Sequence, residues 1–246
     1  MEQEQERKSW MIVVATTIHA YVMDNPDHWG SWMKNAEKVK AEYAKFGDWA
    51  GVQYFAAIQM DSRGLEPFKP FLERLTEIGG GFWTYTLDDG RTQVTTKNRI
   101  RHIVAGQNLC NDFSMSTHGC THMLFMAADC MPPDDILPKM LEMDHPLCAP
   151  YIRTYNLRGT KIDKYPFPVE DAMASAAAIF MDRRVFSSIR WRWDFDKNMS
   201  DDPCFHHDAL HYLGIPTYVR HDCIARHFPE SVGAIETRGH NMIVHR

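Results

Sequence analysis

Residues Met123–Leu137 read MLFMAADCMPPDDIL. Six apolar residues run directly into Asp129, and a Pro-Pro pair at 132–133 follows almost at once. The run reads as a strand over His122–Ala128. The prolines break it, and a helix is expected over Ile136–Met143 with Asp134 as its N-cap. Asp129 then stands at the carboxyl end of a strand. In open parallel sheets ligands bind beyond those ends. A carboxylate there suits a divalent cation bridging a diphosphate. It suits equally well the capping of the turn that follows, and position alone leaves both readings open.

Working outward, strands and helices alternate. Trp10–Ala15 (WMIVVA) reads as a buried strand ending at Thr16 and Thr17. Trp29, Trp32, Met33, Ala36, Val39, Tyr43 and Phe46 recur at helical steps, and Gly47 is placed to stop that helix. Strands are expected over Val52–Met60, stopping at Asp61, and over Phe82–Leu87. Helices are expected over Pro67–Ile78 and Thr96–Leu109. Ala174–Met181 and Ile215–Arg220 read as further strands, and Asp201–Leu213 as a helix. Such alternation predicts an α/β fold with a mostly parallel central sheet and helices on both faces. Composition shifts near residue 150. One body is expected, with a nucleotide-type half at 9–150, a second half at 151–229 and a polar tail at 230–246. Arg153–Glu170 reads as a loop, whose Arg153, Arg158, Lys161 and Lys164 offer a local track for phosphates.

The chain has 246 residues, 44% hydrophobic, and a formal net charge of -5. The hydrophobic share suffices for a full core. The acidic balance argues against broad, charge-driven nucleic-acid binding. No apolar run approaches the length needed to span a bilayer, and Met1–Lys8 are polar, unlike a signal peptide. A cytosolic setting is therefore expected. The six cysteines form no C-x-x-C pair, so reduced thiols are expected there. There is no G-x-G-x-x-G, no P-loop and no G-x-S-x-G elbow, which removes the main support for dinucleotide-binding, P-loop and α/β-hydrolase readings. His207 and His211, four apart on one helix, raise a rival: a zinc-dependent hydrolase with Asp208 as base. Trp191 and Trp193, interleaved with Arg190 and Arg192, suit either stacking on a sugar or base or the two faces of a strand.

Three blocks in order resemble GT-A glycosyltransferases of the family-two type, in their compact bacterial or phage form. Met123–Leu137 resembles the strand, D-x-D element and Pro-rich exit. SAAAIFMDRRVFSSIRW (Ser175–Trp191) resembles the strand and short helix under the acceptor site. SDDPCFHHDALHYLGIPTYVRHDCIARH (Ser200–His227) resembles the E-D element, helix, strand and closing histidine. The match covers roughly the last half of the chain; the first half shares only the rhythm.

The resemblance implies transfer of a sugar from a nucleotide diphosphate sugar, with UDP among the expected nucleotides, to an acceptor hydroxyl. Manganese or magnesium would sit at Asp129 and His227. Asp202, or its neighbour Asp201, would be the general base. Thr16, Thr17, Asp61, Arg99, Ala128 and Asp129 would contact the donor, and Trp191 and Trp193 the acceptor, which is a protein, a glycan or a modified DNA base. The first D-x-D position is Ala127, which also admits a non-catalytic sugar-nucleotide binder.

Overall fold

The computed structural model describes residues 10–19, 23, 26–43, 50–86, 96–128, 130–153, 177–194, 196 and 201–227. At its centre is β1 (Trp10–His19). It pairs in parallel with β2 (Ala50–Gln59) on one side and β4 (His122–Met126) on the other. Beyond β2, β3 (Gly81–Tyr85) is parallel again. Beyond β4, β7 (Ala178–Asp182) is antiparallel, and β6 (Leu147–Arg153) is antiparallel to β7. β8 (Tyr218–His227) runs parallel to β6, and β5 (Cys130–Met131) antiparallel to β8. The order is β3-β2-β1-β4-β7-β6-β8-β5, eight strands in which β7 and β5 run against the rest. The fold is α/β with a mainly parallel sheet.

Both faces are covered, which is why β1 is apolar almost throughout: every residue from Ile12 to His19 is buried. Ile12, Val14 and Ile18 face a layer made by α1 (Pro26–Tyr43), α2 (Lys69–Glu77) and α4 (Ile136–Glu142), through Trp32, Phe71 and Met140. Val13 and Ala15 face α3 (Thr96–Ser116), α5 (Arg183–Ser188) and α6 (Asp201–Leu213), through Val104, Phe186 and Phe205.

Several expectations need correction. Thr16 and Thr17 do not follow β1; they are inside it and buried. α3 continues to Ser116, because its polar positions are used by tertiary contacts instead of ending it. The N-cap position of α4 is Asp135, without a side-chain cap bond, while Asp134 pairs with Lys38 at 2.9 Å. β6 was not expected: Pro150 reads as a strand breaker, and it lies where the register with β8 shifts, the place a sheet tolerates proline. β8 starts and ends later than Ile215–Arg220. Residues 189–193 belong to no sheet ladder. The loop expected over Arg153–Glu170 lies outside the described residues, apart from Arg153 at the end of β6, and so does the tail. Among the described residues no helix is long and apolar enough to cross a membrane.

Candidate active site at the carboxyl ends of β1 and β4

β1 continues to β2 on one side and has β4 on the other, so the strand order reverses between β1 and β4. A crevice opens at such a point. Ala15 lies opposite Phe125, and β4 stops one residue later, while β1 runs on to His19.

The far edge of the sheet returns to this point. In the hydrogen-bonding order β5 is four places from β4. In a flat sheet four spacings amount to about 19 Å. The chain from Met126 to Cys130 reaches at most about 14 Å. The sheet must therefore curl at its carboxyl end. A register shift supplies the bend: Pro150 is opposite Arg220, but Tyr151 is opposite Ile224. The extra residues of β8 form a bulge that turns the strand. Its last residues, Arg226 and His227, pair with Met131 and Cys130. A turn closed by Cys130 N–H donating to Ala127 O (3.0 Å) joins β4 to β5, and Ala127 N–H donates to Ala177 O (2.8 Å). Asp129 and the side chain of His227 lie outside the described residues, but the residue after Asp129 is the pairing partner of His227. Ala128 is buried.

Asp61, two residues past β2, is engaged by its own turn. Its Oδ1 accepts Arg63 N–H at 2.9 Å and its Oδ2 accepts Arg63 Nε at 2.9 Å. The Arg63 guanidinium holds this carboxyl below its ordinary range against a smaller opposing effect of burial. Thr16 is fully buried, and its Oγ1 has no hydrogen-bond partner among the described residues. Thr17 packs on Gly106, where a Cβ would come within 2.6 Å of Thr17 Cγ2 and 2.7 Å of Tyr85 Oη. That glycine lets α3 lie close on β1. Arg99 is in the first turn of α3, with its side chain outside the described residues. A pair not foreseen ends the two central strands: His19 Nδ1 and Gln59 Oε1 are 3.3 Å apart and buried. Two polar residues closing apolar runs were the available signal, but only the register, His19 opposite Gln59, joins them.

The second wall hangs on three carboxamides of α3. Asn108 Nδ2 donates to Trp191 O (2.9 Å) and its Oδ1 accepts Trp191 N–H (3.0 Å), mimicking a strand partner. Asn111 Nδ2 donates to Ile189 O (3.0 Å), and its Oδ1 accepts Trp191 Nε1–H (3.2 Å). Residues 189–193 thus satisfy backbone groups without a sheet. Gln107 Nε2 donates to Asp201 Oδ2 at 2.9 Å and ties down the start of α6. The two tryptophans part company here. Trp191 is 2% exposed and stacks on Phe205 with ring centroids 4.0 Å apart, so it is a core residue, not an open acceptor platform. Trp193 is half-buried, with the Arg101 guanidinium 5.9 Å from its ring centroid. The spacing Q-N-x-x-N, among the apolar residues Val104, Ala105, Leu109 and Cys110, was the legible sign of this clamp.

Asp201 and Asp202 open α6, where the helix dipole favours acids. Asp201 is buried and Asp202 half-buried. Desolvation pushes the Asp201 carboxyl above its ordinary range, with the Gln107 bond the main opposing effect. A carboxyl whose folded value is raised keeps its proton longer in the folded state. Its stabilising effect is therefore complete below the unfolded value, near pH 4, and is lost as pH rises towards the folded value. Asp201→Asn keeps an acceptor for Gln107 and removes that loss. We expect the variant to melt higher than the parent at neutral pH, with the gap closing in acid; equal melting temperatures across that range would refute the assignment.

His207 and His211 do lie together on α6, ring centroids 4.1 Å apart. Asp208 is not free to act as a base. Its oxygens take Arg192 Nε at 2.6 Å and Nη2 at 2.8 Å. Burial works to raise its carboxyl, but the bonds from Arg192 and His207 outweigh it and the net shift is downward. Among the described residues no three His, Cys, Asp or Glu side chains converge as metal ligands. A cleft of about 210 Å³ lined by Trp10, His122, His145 and Asp182 opens at the other end of the sheet, at the amino ends of β1 and β4.

No protein-family model and no curated protein matches the sequence. Among solved structures, the chain is similar to "A197 from STIV" at 13% identity and a TM-score of 0.41, over 72% of this chain and 85% of that one. It is also similar to the galactosyltransferase LgtC in complex with donor and acceptor sugar analogues, at 13% identity and a TM-score of 0.45, over 94% of this chain and 80% of that one.

Proposed function

We propose that the protein is a GT-A-type glycosyltransferase that moves a sugar from a nucleotide diphosphate sugar to an acceptor hydroxyl, in the crevice beyond β1 and β4. The observation that carries this reading is the curl of the sheet. It brings the end of β8, closing at His227, against the residue that follows Asp129. Asp129 and His227 would hold a manganese or magnesium ion, which would supply charge neutralisation for a diphosphate.

The chain's own residues divide the remaining work. Asp202, half-buried at the start of α6, takes the proton from the acceptor hydroxyl. Asp201, buried and held by Gln107, fixes the helix start from which Asp202 projects. Trp193, not Trp191, offers a ring to the acceptor. Ala127, which supplies no carboxylate at the first D-x-D position, favours a second reading as a non-catalytic sugar-nucleotide binder. Slow hydrolysis of donor without acceptor distinguishes the enzyme from the binder.

The test is a thermal-shift panel of UDP-, GDP-, TDP- and CDP-sugars with manganese, magnesium or chelator. Stabilisation by one nucleotide, lost with chelator, is expected. Asp129→Ala should remove the metal-dependent part of that shift. A shift that survives chelator supports the binder, and no shift with any nucleotide overturns both readings.

A further inference from the structure

The His207/His211 pair is built as a ligand set in a way the hydrolase reading does not use. The two rings lie on successive turns of α6, centroids 4.1 Å apart and tilted by 39°. His211 is exposed, and the His207 side chain keeps 37% of its exposure. Beneath them Asp208 is 7% exposed and faces the bidentate Arg192. Its Oδ1 is 3.2 Å from His207 Nδ1. A carboxylate already neutralised by a guanidinium accepts hydrogen bonds and donates none. In the neutral ring that a metal requires, Nδ1 of His207 donates to this carboxylate and Nε2, on the side away from Asp208, is left as the ligand atom. A carboxylate on one ring nitrogen, fixing the tautomer and orientation of the other, is the usual support behind a metal-bound imidazole. Arg192 anchors the carboxylate in turn.

We infer that His207 and His211 form a two-imidazole site for a borderline-soft divalent ion, zinc or copper(II), on the outer face of α6. The chain supplies two ligands, since no third His, Cys, Asp or Glu converges among the described residues. The remaining positions face solvent, and the ion clamps two turns of the helix together. The site differs in chemistry from the one at Asp129. Two neutral imidazoles prefer zinc and copper over magnesium, whereas carboxylate and phosphate oxygens favour magnesium and manganese.

The experiment is a calorimetric titration of the full chain with zinc chloride, and separately with copper(II) chloride, in an Asp129→Ala background so that the other site does not contribute. One ion per chain is expected, unaffected by excess magnesium. His207→Ala and His211→Ala should each weaken binding by about tenfold or more, and Asp208→Asn, which removes the orienting group, by about tenfold. Circular dichroism confirms that each variant keeps its helices, and His211→Asn, at an exposed position, guards against a folding artefact. Copper(II) electron paramagnetic resonance should report two nitrogen ligands in the parent and one in His211→Asn. Absence of binding at a tenfold excess of zinc or copper, or binding that persists undiminished in the His207→Ala/His211→Ala double variant, overturns the inference.

Discussion

Asp202→Asn is expected to lower kcat by about 10²- to 10⁴-fold, the range contributed by a positioned general base. Nucleotide-sugar affinity should stay within error of the parent, because the substitution removes a proton acceptor and no donor contact. The contrast with Asp201 sharpens the test. Asp201 is buried, pushed towards its protonated form and occupied by Gln107. Its burial and the Gln107 bond leave it poorly placed to reach an acceptor hydroxyl. Asp201→Asn should therefore keep most activity while gaining stability. If Asp202→Asn turns over normally and Asp201→Asn is dead, the two roles are exchanged and the burial argument for choosing between them is wrong. If both are active, neither is the base.

The largest effect on folding is expected from Trp191→Ala, a loss of about 3–5 kcal/mol. Trp191 is among the largest fully buried side chains. It stacks on Phe205 of α6, leans on Phe125 of β4 with ring centroids 5.8 Å apart, and donates its indole N–H to Asn111 of α3. Truncation leaves a cavity where three elements meet and an Asn111 oxygen without its donor. Trp191→Phe keeps the stacking and loses the hydrogen bond, so it should cost less, nearer the range of 1–3 kcal/mol for an unsatisfied buried acceptor. Urea denaturation of both variants measures the difference. A Trp191→Ala protein as stable as the parent would mean that the ring does not sit in the core and would reopen it as an acceptor platform.

The elements of this fold were legible where burial on both faces leaves an unbroken apolar run. Met11–Ala15 of β1, Tyr54–Ile58 of β2 and Met123–Met126 of β4 are of that kind, and the alternation of strands with helices was enough to predict the α/β class. Asp201–Leu213 was read to the residue because its first turn is acidic and Gly214 follows it. The failures have a common cause. Thr16 and Thr17 are polar at the end of an apolar run, although β-branched and well suited to a strand, and Pro150 ordinarily breaks one; here tertiary context keeps both strands going. Of the two readings open for the tryptophan pair, stacking on a sugar or base and the two faces of a strand, the strand fails because alternation in sequence cannot show that Asn108 and Asn111, some 80 residues earlier, stand in for a neighbouring strand. For the proposed site, the resemblance in sequence offers Asp129, His227 and the two acids of α6 as candidates. It could not show that His227 ends beside the residue following Asp129, since that depends on a bulge in β8. Nor could it separate Asp201 from Asp202, a distinction made by burial and by Gln107.

β5 has only two residues, too few to hold a ladder unaided. Its place against β8 depends on the three residues 127–129 that lead into it. The entropy of closing such a loop grows slowly, by about 0.6 kcal/mol for each doubling of length. A longer connection would therefore cost the folded state little. It would, however, end the geometric necessity that brings the two ends of the sheet together, because a doubled tether spans a flat sheet with ease. The brevity of this connection is thus a measure of distance and not a source of stability: it acts as a ruler that sets how far the end of β8 can stand from the end of β4, independently of which side chains lie between them.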